Sequence, residues 1–496
     1  MRDNKPTTTQ VSGKNYIHIQ KKYFNTIYQE NNLDNMLGSW AGEAYKSVFF
    51  NITQVLVLQQ RSYQQTAKNT NQQANQNSDD GTYPRESGEM LFSKRNEWDN
   101  NIIAITGGRG SGKSSTLNNV VNYLRGKEVD ADFCKEAGFS SKGSSICGTI
   151  ITCLGILDPT LFNDSDIMEV VISWLFRMFK EKLLKNEKTD TEAKRKILKE
   201  FEDIYKYLGT IRRDNGKRMD GDYIETLDIL SSTTKLKYLL NDLIALTLSF
   251  LHKNQDESNG KAVAHRLLIA LDDFDQEYAN AYKTLEFIRK YLMIPNVIVL
   301  IGANIEDLHS FIAKTMYAEL KITKELDKEA FSRAETMSQN YLQKVIPEAH
   351  RIPMPTFLNS GRDTLLFIKD IDDEEFQNFS DRSNKDDVSA YRERFGYTNR
   401  IVRLIYQKAG VLLLPDAEHT QLFNYMSLRD INGLIELLQD ADEKNGHQVN
   451  TCNKLLDYLY RWFFKGVVKD SQASYKKQLD DIRSEEHTSE LQSPNT

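Results

Sequence analysis

Gly107-Gly108-Arg109-Gly110-Ser111-Gly112-Lys113-Ser114 stands between an apolar run, Ile102-Ile103-Ala104-Ile105-Thr106, and a helix-like stretch, Ser115-Thr116-Leu117-Asn118-Asn119-Val120-Val121-Asn122-Tyr123-Leu124. This is G-x-x-x-x-G-K-[ST] in strand-loop-helix context, the signature of a phosphate-binding loop. Gly107 and Gly112 permit the tight turn and the close approach of backbone to phosphate oxygens. Backbone N–H groups from Gly107, Gly108, Arg109, Gly110, Ser111 and Gly112 through Lys113, Ser114 and Ser115 form the expected cradle. The helix that begins near Lys113 adds its positive N-terminal dipole; Lys113 is suited to the β- and γ-phosphates and the Ser114 hydroxyl to a magnesium ion. The dinucleotide fingerprint G-x-G-x-x-G is excluded, because Lys113 occupies the place of its third glycine.

Around this loop, 496 residues with 40% hydrophobic and 27% charged side chains supply enough apolar surface for roughly two to four domains. The four cysteines, Cys134, Cys147, Cys153 and Cys452, show neither C-x-x-C nor zinc-finger spacing, which argues for reduced thiols and a cytoplasmic location. The N-terminus is polar, and no window approaches the ~18 apolar residues of a bilayer span, so no membrane association is expected. A net charge of −6 gives no electrostatic case for nucleic acid. Residues 483–496 begin Arg483-Ser484-Glu485-Glu486-His487, which matches the conceptual translation of a common sequencing-adapter read. They are treated as foreign, and the natural chain is expected to continue past Ile482.

Apolar spacing at Tyr16, Ile19, Tyr23 and Ile27, then at Val48, Phe49, Ile52, Val55 and Leu56, predicts a helical prologue over residues 1–60. Residues 61–90 are polar and read as a linker or loop. A core is expected over 91–355, with strands at Ser145–Thr152, Arg266–Leu271 and Val297–Gly302. Leu157-Asp158-Pro159 is a plausible strand exit, a helix is expected from about Ser165 to Leu184, and the span 165–255 reads as a long helical insertion. Strands alternating with helices imply an α/β fold with a mostly parallel sheet, whose ligands bind beyond the carboxyl ends of the strands. Residues 356–482 read as a helical lid and C-terminal region.

The second half of the site is expected at Leu267-Leu268-Ile269-Ala270-Leu271-Asp272-Asp273-Phe274-Asp275, a buried strand ending in carboxylates. Asp272 is placed to hold magnesium, through water, opposite Ser114. Asp273 is the candidate for orienting the attacking water, with Asp275 as a second choice. Asn304, after Ile301-Gly302-Ala303, is the candidate to contact both that water and the γ-phosphate; the alternative is an ordinary cap ahead of Glu306.

These motifs, with Asn340-Tyr341-Leu342-Gln343-Lys344-Val345-Ile346 and Ile352-Pro353-Met354-Pro355, resemble an AAA+-related P-loop ATPase of the KAP or STAND type over about residues 90–410. The resemblance implies a three-layer P-loop NTPase core with a helical lid, ATP and Mg2+ as ligands, and homo-oligomeric, possible ring assembly. Gly396-Tyr397-Thr398-Asn399-Arg400-Ile401 resembles the start of the lid helix, where the family carries a γ-phosphate-sensing arginine. Arg400 matches it, Arg403 lies one turn on, and a solvated helix face is the alternative for both. Arg333, Lys344 and Arg351 lie in the interval from which a neighbouring subunit's basic finger is expected. Many KAP proteins carry transmembrane helices within the ATPase domain; this chain has a helical insertion instead.

The prologue, the Leu157-Asp158-Pro159 segment and the helical C-terminal part also resemble ATPase subunits of bacterial phage-defence systems, including the RADAR type that works with an adenosine deaminase. Asn384-Lys385-Asp386-Asp387 satisfies the guanine-recognition pattern N-K-x-D but follows a charged stretch instead of a buried strand, so ATP is preferred over GTP through the resemblance. Beside an ATP-hydrolysing enzyme, two other readings stand. One is a slowly hydrolysing signalling switch or scaffold, favoured by the short Asp273. The other is a nucleic-acid-dependent motor, suggested by Tyr458-Leu459-Tyr460-Arg461-Trp462-Phe463-Phe464, whose helical spacing fits core packing better.

Overall fold

The computed structural model describes residues 16–19, 33–38, 41–74, 100–138, 146–159, 167–185, 191–214, 236–252, 264–273, 281–322, 327–355, 365–368, 372, 374–375, 388–412, 423, 426–440 and 448–464. At its centre five strands pair in parallel in the order β3-β4-β5-β2-β6. They are β2 (Ile102–Thr106), β3 (Ile150–Leu157), β4 (His265–Leu271), β5 (Val297–Ala303) and β6 (Arg351–Pro353). All seven residues of β4 and of β5 are buried, as a parallel sheet covered on both faces requires. Such strands read as unbroken apolar runs, which is why the sequence announces them. Because β5 pairs with both β2 and β4, the strand that leads to Asn304 separates the phosphate loop from Asp272.

One face of the sheet is covered by the insertion helices α5 (Ile167–Lys185), α6 (Thr191–Asp214) and α7 (236–252), together with α8 (Ala281–Phe287), α9 (Ile305–Ile322) and α10 (Asp327–Val345). A single π-helical turn, Ile288–Leu292, follows α8. On α6, Ile197, Phe201, Ile204 and Leu208 face the core, while Leu198 and Tyr205 are exposed.

Three helices cover the opposite face: α2 (Gly42–Ala74), the phosphate-loop helix α3 (Lys113–Leu124) and the short α4 (Ala131–Glu136). A further short helix, α1 (Leu33–Gly38), precedes α2. Val48, Phe49, Ile52, Val55 and Leu56 of α2 pack in the same core as Ile103, Ile105, Val120 and Val121, so the prologue helix supplies one layer of the core. Polar bonds fix its register: Asn119 Nδ2 donates to Tyr45 Oη (2.8 Å), and Gln59 accepts from Arg266 Nε (2.9 Å) while donating to the Val297 carbonyl (3.1 Å).

The structure departs from three sequence expectations here. Tyr16 and Ile19 lie in a strand, β1 (Tyr16–Ile19), which pairs in parallel with β7 (Leu365–Ile368). Tyr-Ile-His-Ile alternates and is rich in aromatic and β-branched residues, and that local preference outweighs the helical spacing continued from further along the chain. Helix α2 runs on through residues 61–74 of the expected linker; the remaining positions, 75–90, lie outside the described residues. The strand expected at Ser145–Thr152 begins only at Ile150, because residues 146–148 form a turn around Gly148, whose φ of 92° suits a residue without a Cβ. It ends at Leu157, so Asp158-Pro159 is a strand exit.

Helices α11 (Val388–Phe395), α12 (Tyr397–Ala409), α13 (Leu428–Asp440) and α14 (Gln448–Phe464) form a C-terminal helical unit. Its core includes Tyr397, Ile401, Leu404, Leu434, Leu438, Leu455 and Leu459, which places the first part of the aromatic run on a packing face. The N-K-x-D segment at 384–387 and Asp275 lie outside the described residues.

Candidate nucleotide site

Between β2 and α3 the chain turns through left-handed backbone at Gly110 (φ 82°) and Gly112 (φ 96°). Gly112 is the N-cap of α3 and no side chain caps that terminus, so its first-turn N–H groups are left for an anion. Buried Lys113 donates Nζ to the carbonyls of Gly107 (2.7 Å) and Gly108 (3.1 Å). Ser111 Oγ is buried and has no hydrogen-bond partner, and a Cβ on Gly107 would meet it at 2.7 Å. A hydroxyl orphaned in this way costs roughly 1–3 kcal/mol, which a ligand oxygen in the loop would recover.

Ser114 Oγ donates to Asp272 Oδ1 at 3.1 Å, across 158 residues of sequence. Burial pushes the Asp272 carboxyl above the usual aspartate range; the neighbouring Asp273 pushes the same way, while the Ser114 hydroxyl, the Asp273 backbone N–H and Lys113 oppose it. A carboxylate so desolvated is poised to accept a cation. Gly302 leaves room for the pair: a Cβ there would stand 3.1 Å from Asp272 Oδ1 and 3.9 Å from Lys113 Cβ. That role went unread in the sequence, although a glycine closing a strand of branched residues signals close approach.

Asp273 has a φ of 49°, the one non-glycine positive φ among the described residues. Aspartate tolerates this conformation better than most residues, at a cost on the order of 1 kcal/mol. This left-handed residue lies just beyond the end of β4, where a water-orienting group is expected.

Asn304 takes the capping alternative. Its Nδ2 donates to Asp307 Oδ2 (2.7 Å), its Oδ1 accepts from the Glu306 N–H (3.2 Å), and its carbonyl accepts from the Leu308 N–H (3.0 Å). Position at the sheet's carboxyl edge is as expected, but the amide is engaged by the first turn of α9.

Arg400 also departs from its expected role as a phosphate sensor. Its guanidinium is buried and paired with Asp372, through Nη2 to Oδ1 at 2.6 Å and Nε to Oδ2 at 3.2 Å. Asp372 also accepts the Ile368 N–H at 2.9 Å, so the pair ties α12 to β7. Arg403 is exposed on the same helix. Among the finger candidates, Arg333 and Lys344 are exposed on α10, whereas Arg351 starts β6 and donates Nε to the Ile346 carbonyl (2.9 Å).

The start of α13 lies over the phosphate loop, a contact that sequence reasoning missed. A Cβ on Gly110 would stand 2.8 Å from Ser427 Oγ and 2.9 Å from Arg429 Cβ. Ser427 and Asp430 form a reciprocal cap: Ser427 Oγ accepts from the Asp430 N–H (3.2 Å), and the Asp430 carboxylate accepts from the Ser427 N–H (3.1 Å) and Oγ (2.6 Å). Ser427-Leu428-Arg429-Asp430 carries that cap in its sequence, but nothing local says where the helix docks.

The profile of the KAP family P-loop domain matches residues 93–366, more than half of the chain. The chain belongs to the KAP family of P-loop NTPases. No curated protein matches it at a significant level. The KAP match begins ahead of β2 and ends within β7, leaving α2, which covers one face of the sheet, outside it. Among the described residues no helix is long and apolar enough to cross a membrane.

The donor set of the KAP site fits the polyphosphate of a nucleotide together with a magnesium ion. Orphaned Ser111 Oγ, the uncapped α3 terminus and Lys113 suit a polyphosphate, and Ser114 with Asp272 suits magnesium. Among the described residues no group of three or more His, Cys, Asp or Glu could hold a metal, so the ion would complete its shell with phosphate oxygens and water, as Mg2+ commonly does.

Proposed function

We propose that this KAP-family chain binds ATP with Mg2+ at the loop 107–115, hydrolyses it, and passes the change in ligand to its C-terminal helical unit. The observation that carries the reading is the Ser114–Asp272 contact of 3.1 Å beside buried Lys113. When bound, magnesium would neutralise phosphate charge. Lys113 would exchange the carbonyls of Gly107 and Gly108 for phosphate oxygens, and Ser111 would gain its missing partner. Asp273 would orient the attacking water and hold its proton, with Asn304 at the same edge. Catalysis of this kind rests on positioning and charge neutralisation. Arg429, exposed and rooted against Gly110, is the lid cation best placed to register what the loop holds.

A second reading, a nucleotide-dependent switch or scaffold that hydrolyses slowly, is favoured by the short, left-handed Asp273 and by Asn304 and Arg400 being engaged elsewhere. Ring assembly through Arg333 or Lys344, an effector such as a deaminase, and a part in antiviral defence are proposals that rest on the resemblance.

Steady turnover of ATP by the purified full-length chain, lost in Lys113→Ala and cut at least tenfold in Asp273→Asn, supports the enzyme. ATP-dependent assembly with no turnover refutes it in favour of the switch. Stimulation by DNA or RNA would favour the motor, and equal turnover of GTP would remove the preference for ATP.

A further inference from the structure

Cys134 and Cys147 lie on different elements, yet the turn that carries Cys147 is bonded to the segment leading into α4, which brings the two thiols within interaction range of each other. Cys134 sits on α4, only 3% exposed, and α4 is anchored on both sides. Asp130 caps its N-terminus by accepting the Phe133 N–H at 2.7 Å, and the Phe133 ring packs against Phe49 of α2 and Tyr123 of α3. Cys147 is exposed, at the centre of the turn that precedes β3.

Backbone bonds hold that turn beside α4 independently of the thiols. Gly148 N–H donates to the Val129 carbonyl (2.9 Å), Val129 N–H donates to the Thr149 carbonyl (2.8 Å), and Glu128 and Ile150 form an antiparallel bridge. One thiol is therefore reachable from solvent, and the other is held behind it by the core. Cys153, buried within β3, has no such access.

We propose that Cys134 and Cys147 are a peroxide-sensitive pair that forms an intramolecular disulfide, clamping α4 to the entry of β3. The exposed Cys147 sulfur attacks one oxygen of hydrogen peroxide; the O–O bond breaks, one water leaves, and a sulfenic acid remains on Cys147. The Cys134 sulfur then attacks the Cys147 sulfur, the S–S bond forms, the S–O bond breaks, and the departing hydroxide takes the Cys134 proton as a second water. Two thiols lose two electrons in total, and one peroxide is reduced to two waters. Burial pushes the Cys134 thiol up to about 11, so it stays protonated at neutral pH and acts second, as the resolving thiol.

The test uses the full-length chain under native conditions with hydrogen peroxide, read by thiol titration and peptide mapping without reductant. The expected result is loss of two thiols per chain and a linked pair of peptides carrying Cys134 and Cys147, both reversed by dithiothreitol. Cys153→Ser keeps the link. Cys134→Ser accumulates a dimedone-reactive sulfenic acid at Cys147, and Cys147→Ser, a change at an exposed position, leaves Cys134 reduced at the same dose. Oxidation of Cys147 to sulfinic acid or to intermolecular dimers while Cys134 stays alkylatable overturns the proposal, as does the absence of any reaction. None of these outcomes depends on whether the chain hydrolyses ATP.

Discussion

Replacing Arg400 by Met separates a structural ion pair from a phosphate sensor. In the structure both partners are almost fully buried, with 7% and 5% side-chain exposure, and two N–H groups of Arg400 meet the two oxygens of Asp372. Removing the guanidinium leaves the Asp372 carboxylate with the Ile368 N–H. Breaking a buried pair from one side costs about 3–5 kcal/mol, because the remaining charge is uncompensated. Every 1.4 kcal/mol is tenfold, so amide exchange through local opening of 365–368 and 397–409 should accelerate on the order of 10²- to 4 × 10³-fold. The double variant Arg400→Met/Asp372→Asn removes the stranded charge and keeps an acceptor for Ile368. It should lose at least ~2 kcal/mol less than the sum of the two single variants. Hydrogen exchange read by mass spectrometry, without and with ATP, gives both quantities. If Arg400→Met leaves exchange in these segments within threefold of the parent while ATP affinity falls tenfold or more, the structural account is wrong and Arg400 reaches the nucleotide.

Gly110→Val should lift the start of α13 from the loop. Its φ of 82° costs a branched residue at least ~1–2 kcal/mol, and the new Cβ would stand 2.9 Å from Arg429 Cβ. Protease cleavage within 426–440 should rise severalfold, whereas Gly108→Ala, whose Cβ meets nothing within 4 Å, should leave it unchanged. Asp272→Asn should stabilise the ligand-free chain at neutral pH while weakening Mg-ATP binding. The sign follows from the raised carboxyl: its ionised form costs stability above the folded value, and that cost fades as pH falls through this value toward the ordinary aspartate range. Thermal melts from pH 7 down to about pH 4 should therefore converge for parent and variant; a variant less stable at pH 7 contradicts the desolvation argument. A chain truncated to the family-matched range 93–366 should aggregate, because it strips α2 from Ile103, Ile105, Val120 and Val121. A soluble, monomeric product in light scattering would show that α2 is dispensable.

The loop at Gly107 to Ser114 and the strands at β2, β4 and β5 were legible because their signals are local. Glycines at fixed offsets permit one turn, and a run of branched apolar residues suits a strand buried on both faces. Asp272 was legible for the same reason, as the first carboxylate after such a run. Local signals failed where two patterns competed. Tyr16 and Ile19 fit a helical spacing yet pair with β7, and the apolar residues at 146–147 lie in a turn ahead of β3. Asn304 sits at the strand end that its sequence context indicated and Arg400 on the helix that the resemblance indicated, but Asp307 and Asp372 claim their polar groups, and no short-range pattern names such a partner.

By itself, the sequence determined that this protein carries a phosphate-binding loop on a parallel α/β sheet, with an acidic strand end to face it. Only the tertiary structure decided that β5 stands between the two halves, that Ser114 meets Asp272, that α2 closes one face of the core, and that α13 covers Gly110. The physical reason is range. Backbone conformation and burial pattern are written within a few residues, whereas strand order, ion pairing and docking of helices are settled by which distant surfaces exclude water together.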